Sequence, residues 1–408
     1  MSLVGLAATA GVLIPSLSAI ALPPCLSDCA VSFTPGAQTT WTVPVNATHV
    51  TVVVVAGGAG GASPHMPTPG GAGGQLTVDL GTAYNGDTLH ILVGDIGPDV
   101  LVGVPCGGGS ASYVADPSGF VAIAGGGGGS GVLSDLSAQL TGGAGGYATA
   151  SADGADGTNA SGFDISGLGA VGATPGTPTA QTGLGAYGGT GGVASVAGDG
   201  TITPGAGGDA AIFVDFPVAQ GGGGYAGGGG GSAQDAVSVG GPAGAGAGGG
   251  GSGFLAAGLT ASSVTANTGA GSITFTYSLP SITAPTASVA VGSTSSTTVG
   301  LAPSTAFIVL LTGTTTIVAS GTTDASGNPI TVPFTVPAGA SLGPYSLTLQ
   351  VAGTDVAISP TFTVTALVLL AATGVTIPWW AESGAATVIV SGMLLLWWSS
   401  RQKRHARV

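Results

Sequence analysis

The segment HVTVVVVAGG, residues 49–58, joins a β-branched run directly to a cluster of glycines. A run of valines of this length is typical of a buried strand. Glycine interrupts such a strand, because it has no side chain to pack and loses the most conformational entropy on folding. The segment therefore predicts a strand that ends where a glycine-rich region begins.

The same alternation of strand-like runs and glycine clusters continues along the chain. Glycine accounts for 80 of the 408 residues, well above the ~7% of average proteins. Aromatic residues recur between the clusters, which favours an ordered core over a flexible linker, least clearly for residues 130–208. The dipeptide Asn85-Gly86 predicts a β-hairpin. The remaining predicted strands cover residues 38–44, 75–80, 88–93, 110–113, 121–124 and 271–277.

This order of segments resembles a bacterial glycine-rich domain over about residues 31–277. The resemblance is carried by TWTVP at 40–44, by the Val-rich strand that runs into glycines, and by AGGGGG at 124–129. It implies a strand framework that supports a bundle of polyglycine-II helices, in which backbone packs directly against backbone. We expect this domain to occupy residues 31–279.

Residues 280–366 have a different composition, with less glycine and more Thr, Ser and Val. About seven short alternating runs separated by turns predict a β-sandwich. DASGN at 324–328 and VPFTVP at 332–337 resemble the Ig-like repeats of actinobacterial surface proteins, for which a spacer role is expected. The predicted runs are 287–291, 297–301, 307–311, 316–320, 330–336, 345–351 and 361–365.

The first residues have the composition of a signal peptide covering residues 1–21. The stretch 3–22 is apolar and uncharged, and Ala19 and Ala21 fit the small-residue rule for cleavage after Ala21. A membrane helix that is retained is the alternative interpretation. Export is therefore the expected fate of the chain.

The C-terminal region has three parts in a fixed order: LAATG at 370–374, an apolar segment at 379–400, and a basic tail at 401–408. The apolar segment predicts a single transmembrane helix. A basic tail stays on the cytoplasmic side of a membrane, and tryptophans mark its interfaces. The predicted fold class is therefore all-β, a glycine-rich bundle on a strand framework and an Ig-like β-sandwich, followed by one transmembrane segment.

The same three parts resemble a sortase sorting signal. The motif residues match the Leu-Ala-x-Thr-Gly variant of the LPXTG pattern of Gram-positive bacteria. The resemblance implies that sortase cleaves after Thr373 and joins it to peptidoglycan, so that a membrane-anchored precursor becomes a protein of the extracellular cell wall. Anchoring by the transmembrane segment alone is the alternative. The motif consists of Leu370, Ala371, Ala372, Thr373 and Gly374.

Charge is distributed unevenly along the chain. All four Lys and Arg residues lie within 401–408, whereas residues 1–369 contain 16 Asp and no Glu. A surface of this kind cannot neutralise phosphates, so nucleic acid is not an expected partner.

Residues that carry chemistry are few. Cys25 and Cys29 are candidates for a disulfide bond, and a bond from Cys106 to either of them stays open. The segment DGADG, which contains Asp153 and Asp156, is similar to calcium-binding glycine repeats, but the nine-residue period of such repeats is missing. No nucleophile or acid–base motif is present, and the cysteines and histidines are too few for zinc. We therefore expect no enzymatic activity, no cofactor and no bound metal.

Two functions of different classes fit these features. The first is an adhesin whose glycine-rich domain meets a host or cell-surface ligand, with the exposed loops at 63–69 and 96–100 as candidate contacts. The second is a structural coat or spacer protein of the envelope without a specific ligand.

Overall fold

The structure of the protein is a computed structural model. Within the described part every regular element is a β-strand, so the all-β prediction is confirmed there. That part contains no helix long and apolar enough to cross a membrane. The structure describes residues 29–59, 70–98, 107–133, 139–159, 166–179, 184–186, 189–209, 212–213, 216–217, 219–234, 244–285, 288–325 and 328–367.

Several predictions fall outside these ranges. They are the signal peptide with Ala19 and Ala21, the cysteines Cys25 and Cys106, the loop at 63–69, the LAATG motif at 370–374, the segment at 379–400 and the tail at 401–408.

Two five-stranded antiparallel sheets form the framework of the first domain, in the orders β1-β19-β3-β4-β18 and β17-β7-β6-β5-β2. Short strands lie between β7 and β17 and pair mostly with one another. The strands are β1 Cys29–Phe33, β2 Thr39–Thr42, β3 Thr48–Val55, β4 Gly73–Gly81, β5 Thr88–Leu92, β6 Ser112–Asp116, β7 Gly119–Ala124, β8 Gly131–Leu133, β9 Gln139–Leu140, β10 Leu184–Ala186, β11 Ser195–Val196, β12 Ile202–Thr203, β13 Ile212–Phe213, β14 Phe216–Pro217, β15 Ala233–Gln234, β16 Gly244–Ala245, β17 Phe254–Leu255, β18 Ala261–Asn267 and β19 Ser272–Ser278.

The two large sheets share a hydrophobic core. Alternate residues of β3 are fully buried, as the period of two in a strand requires. Val52, Leu76, Ile91 and Phe275 meet in this core with no solvent exposure. Trp41 covers one side of it, with its ring centroid 4.4 Å from that of Phe275. The β-branched run that opens the sequence is therefore a central strand of the framework.

The hairpin predicted at Asn85-Gly86 is wrong, although a turn is present there. The strands on either side, β4 and β5, belong to different sheets and do not pair. Gly86 has a φ of 84° and donates its N–H to the carbonyl of Val43 at 3.0 Å. The Asn85 amide donates to the carbonyl of Ala47 at 2.8 Å. The turn thus crosses between sheets, because both strands bury their apolar faces in the shared core rather than against each other.

The second domain is a small all-β unit with one core. Its strands form three sheets, β20-β22-β25, β21-β29-β26 and β24-β23-β27-β28, which enclose side chains such as Val309, Phe334 and Leu349. The predicted runs miss β20 and β28 and join β26 to β27. The strands are β20 Ser281–Ile282, β21 Val289–Ala290, β22 Thr294–Gly300, β23 Ala306–Leu311, β24 Ile317–Thr322, β25 Ile330–Thr335, β26 Gly343–Tyr345, β27 Leu347–Val351, β28 Thr354–Ile358 and β29 Phe362–Thr365.

Candidate binding groove

Glycine-rich segments lie side by side at the end of the framework and bond in three directions rather than two. Segment 248–251 shows the pattern: successive N–H groups donate to three different neighbours, and the fourth returns to the first neighbour. The repeat is therefore three residues, as in a polyglycine-II helix. The bonds are Gly248 to Gly129 at 2.9 Å, Gly249 to Gly229 at 2.9 Å, Gly250 to Ala155 at 2.9 Å and Gly251 to Gly126 at 3.0 Å.

The carbonyl groups of the same segment accept from three further neighbours. Segment 248–251 therefore has six neighbours and satisfies its peptide groups without a single side chain. We call this array of segments the glycine bundle; its members include 125–129, 142–146, 221–224, 227–231 and 248–251. The carbonyls of Gly248, Gly249 and Gly250 accept from Gly143 at 2.8 Å, Gly222 at 2.8 Å and Ala170 at 3.0 Å.

The close approach of these backbones explains the glycine content. A Cβ atom added at Gly127 would overlap the carbonyl oxygen of Gly71, and one at Gly250 would overlap that of Ala144. Both oxygens belong to the backbone and cannot rotate away. Any side chain at such a position would force segments apart and break the bonds on both sides.

Two aspartates and an asparagine complete the bundle on one side. The side-chain oxygens of Asp153, Asp156 and Asn159 accept from the N–H groups of Gly172, Gly169 and Ser166, at 2.8, 2.7 and 2.9 Å. Donors and acceptors are both spaced by three residues, so these side chains act where a neighbouring carbonyl would. Among the described residues no group of three or more His, Cys, Asp or Glu side chains gathers for a metal ion.

Tyr113 joins the framework to the bundle. Its hydroxyl donates to the carbonyl of Gly224 at 2.9 Å and accepts from the N–H of Gly205 at 3.1 Å. Burial raises the pKa of the Tyr113 hydroxyl well above its usual range, and the Gly205 N–H offsets this only partly. The hydroxyl therefore stays protonated at neutral pH and keeps its donor role toward the bundle.

A second connection lies at the hairpin of β11 and β12. The Gln38 side chain accepts from the N–H of Ile202 at 2.9 Å and donates to the carbonyl of Gly200 at 3.0 Å. His90 lies 3.3 Å from the Gln38 amide nitrogen and packs its ring against Gly200. His90, which the sequence places in a strand, contributes to this packing.

A groove of 610 Å³ opens where framework and bundle meet. Its lining combines the end of β5, the segment at 108–111, residues of the segments at 204–209 and 220–223, and Tyr113. Most lining residues are glycine, alanine or proline, so peptide groups make up much of the wall. Asp95 and Asp209 are exposed on the same lining and are its charged side chains.

The candidate residues that the sequence singled out and that the structure describes do not line this groove. Cys29 begins β1 and is disulfide-bonded. Ile96 and Pro98, from the candidate loop, are exposed and lie one and three residues after Asp95. The groove itself is not predicted from the sequence, since its walls come from segments more than 180 residues apart.

A strand framework, a threefold glycine bundle and a groove between them define a class of β-protein built on glycine packing. Residues 33–278 match the family model of the glycine-rich domain, which is more than half of the chain. The protein belongs to this glycine-rich domain family. No curated protein matches the chain.

Proposed function

We propose that the protein is an exported bacterial surface protein that is anchored to the cell wall and displays its glycine-rich domain for ligand binding. The observation that carries the display role is the groove of 610 Å³. Its walls are backbone segments held in three directions, so the groove is preformed, and preformed sites lose little entropy on binding.

The proposed anchor rests on the sequence alone. The order of the LAATG motif at 370–374, the apolar segment at 379–400 and the basic tail at 401–408 supports sortase processing and attachment of Thr373 to peptidoglycan. The signal peptide at 1–21 supports export. The domain at 280–366, proposed to be Ig-like, would then separate the glycine-rich domain from the wall.

The anchor is tested by digesting cell walls with a muramidase and analysing the released fragments by mass spectrometry. The expected fragment carries Thr373 bonded to a peptidoglycan peptide. Thr373→Ala is expected to abolish it, whereas Ala372→Ser, at the variable position of the motif, is the matched control and should preserve it. An intact tail in the membrane fraction of wild-type cells would refute wall attachment and favour anchoring by the transmembrane segment alone.

The alternative function is a coat or spacer without a ligand. It is separated from ligand display by comparing wild-type cells with deletion cells for adhesion to host matrix, glycans and neighbouring cells. Ligand display predicts adhesion that disappears on deletion. Unchanged adhesion together with altered wall hydrophobicity would favour the coat.

A further inference from the structure

The groove carries two aspartates, and the sequence of its domain contains no Lys or Arg to pair with them. Asp95 and Asp209 are exposed on its lining. The described residues include no Lys or Arg to pair with them, since all four of these residues lie in 401–408. Low-dielectric walls focus the field of like charges into a cleft. The groove therefore attracts cations.

The size and lining of the groove narrow the class of cation. A volume of 610 Å³ lies in the range of small-molecule and short-peptide sites, about 300–1,000 Å³. A bare metal ion is disfavoured, because the described residues do not bring three ligating side chains together. The N–H groups of Gly109, Gly205 and Gly223 on the walls already donate within the domain. An extended chain therefore contacts the walls through their surface, which is nearly free of side chains, and through carbonyl oxygens, each of which has a second lone pair.

We propose that this groove binds an extended peptide segment that carries Lys or Arg side chains. The proposal rests on the ligand-display function above and names its ligand class. The occupant is a different protein rather than the body of a second copy, because residues 1–369 contain no Lys or Arg. The backbone of the segment lies along the glycine walls, and its cationic side chains reach Asp95 and Asp209.

The test uses isothermal titration calorimetry on the full chain, with a short peptide of alternating glycine and lysine as the probe. The same peptide with every lysine acetylated is the control ligand, because acetylation removes the charge of each side chain and leaves the peptide backbone unchanged. The expected result is binding of the lysine peptide that weakens with salt and no measurable binding of the acetylated one. Equal binding of both peptides, or of neither, would overturn the proposal.

Matched variants locate the site. The double variant Asp95→Asn, Asp209→Asn is expected to weaken binding about tenfold, which corresponds to two exposed ion pairs of roughly 0.7 kcal/mol each. In the native chain the Ile96 N–H donates to a carboxylate oxygen of Asp95 at 2.8 Å. Asp95→Asn keeps a side-chain oxygen that can accept this bond. Asp79→Asn with Asp355→Asn changes the net charge equally, away from the groove, and should leave affinity within about twofold. An equal loss in both double variants would contradict binding at the groove.

Failure of this proposal can be told apart from failure of the display function. If the groove variants abolish cell adhesion while the lysine peptide does not bind, the ligand class is wrong and display stands. If neither the variants nor deletion of the protein changes adhesion, display itself is wrong.

Discussion

The two domains are stabilised by opposite means. In the glycine bundle, residues such as Gly250 are buried because the side chain is missing, and hydrogen bonds hold neighbouring backbones together. In the domain of β20–β29, side chains such as Phe334 and Leu349 fill one core. Substitutions that add side-chain atoms should therefore destabilise the first domain most. Substitutions that remove side-chain atoms should destabilise the second domain most. The comparison shows that a chain with few large residues can still build a dense interior, provided that its backbones come into contact.

The largest expected effect is in the second domain. Phe334→Ala should lower the free energy of unfolding by about 4 kcal/mol, because Phe334 is 1% exposed and its ring packs against Phe362 at 6.0 Å. Hydrogen exchange followed by mass spectrometry should show lost protection in residues 288–365 and unchanged protection in 248–251. Phe334→Leu is the control and should cost much less. Loss of protection in the bundle would contradict separate packing of the two regions.

An added methyl group should have a comparable effect in the bundle. Gly250→Ala places a Cβ onto the carbonyl oxygen of Ala144 and should cost about 3 kcal/mol. Gly198→Ala is the matched control, because no atom lies within 4 Å of its Cβ position and Gly198 is exposed. Denaturant unfolding monitored by amide exchange measures both. Equal stability of the two variants would show that the bundle is loosely packed.

The hydrogen bonds of the Tyr113 hydroxyl, which join the framework to the bundle, should contribute less to the free energy of unfolding than the packing at Gly250. Tyr113→Phe removes a hydroxyl that serves both Gly224 and Gly205, and leaves buried peptide groups without that partner. We expect a loss of about 2 kcal/mol. Amide exchange of Gly205 should accelerate specifically. A neutral result would mean that water replaces the hydroxyl without cost.

Side-chain acceptors at the border of the bundle should contribute less again. Asp156→Ala leaves the N–H of Gly169 without its acceptor and should cost about 1 kcal/mol. Asp156→Asn keeps an oxygen in place and should remain close to wild type. Chemical denaturation compares the two. A large loss with Asn would contradict a purely backbone-capping role.

The smallest expected effect depends on pH. The N–H and hydroxyl of Thr201 lower the pKa of the Asp199 carboxyl, with a minor contribution from His90. The stabilisation is therefore fully present above the pKa of an unfolded aspartate and is lost as pH falls through the lower folded value. Asp199→Asn should flatten stability over this acidic window alone. A change confined to neutral pH would contradict the assignment.

The framework could be predicted from the sequence much better than the groove. A β-branched run revealed β3, and alternation revealed β4 and β5, because these strands bury side chains in a shared core. The edge strand β18 was missed, since Ala261–Asn267 is mainly small and polar and carries no apolar alternation. The turn at Asn85-Gly86 was predicted correctly, but its two strands pair elsewhere, which local residues do not determine.

One feature of the bundle is visible in the sequence but was not used to predict it. Asp153, Asp156 and Asn159 are spaced by three, the period of the helices they cap, and this could have been read from the sequence. The groove has no such signal in the sequence. Its aspartates, Asp95 and Asp209, are far apart along the chain and reach the same lining only in the folded domain.

The threefold repeat also constrains how the gene can change. Inserting or deleting three residues within a segment such as 248–251 moves the chain by one full turn, and every N–H then faces the same neighbour as before. A change of one or two residues rotates the segment and redirects all later donors. Homologous bundles should therefore differ in segment length mainly by multiples of three, a spacing that can be looked for in other members of the glycine-rich domain family.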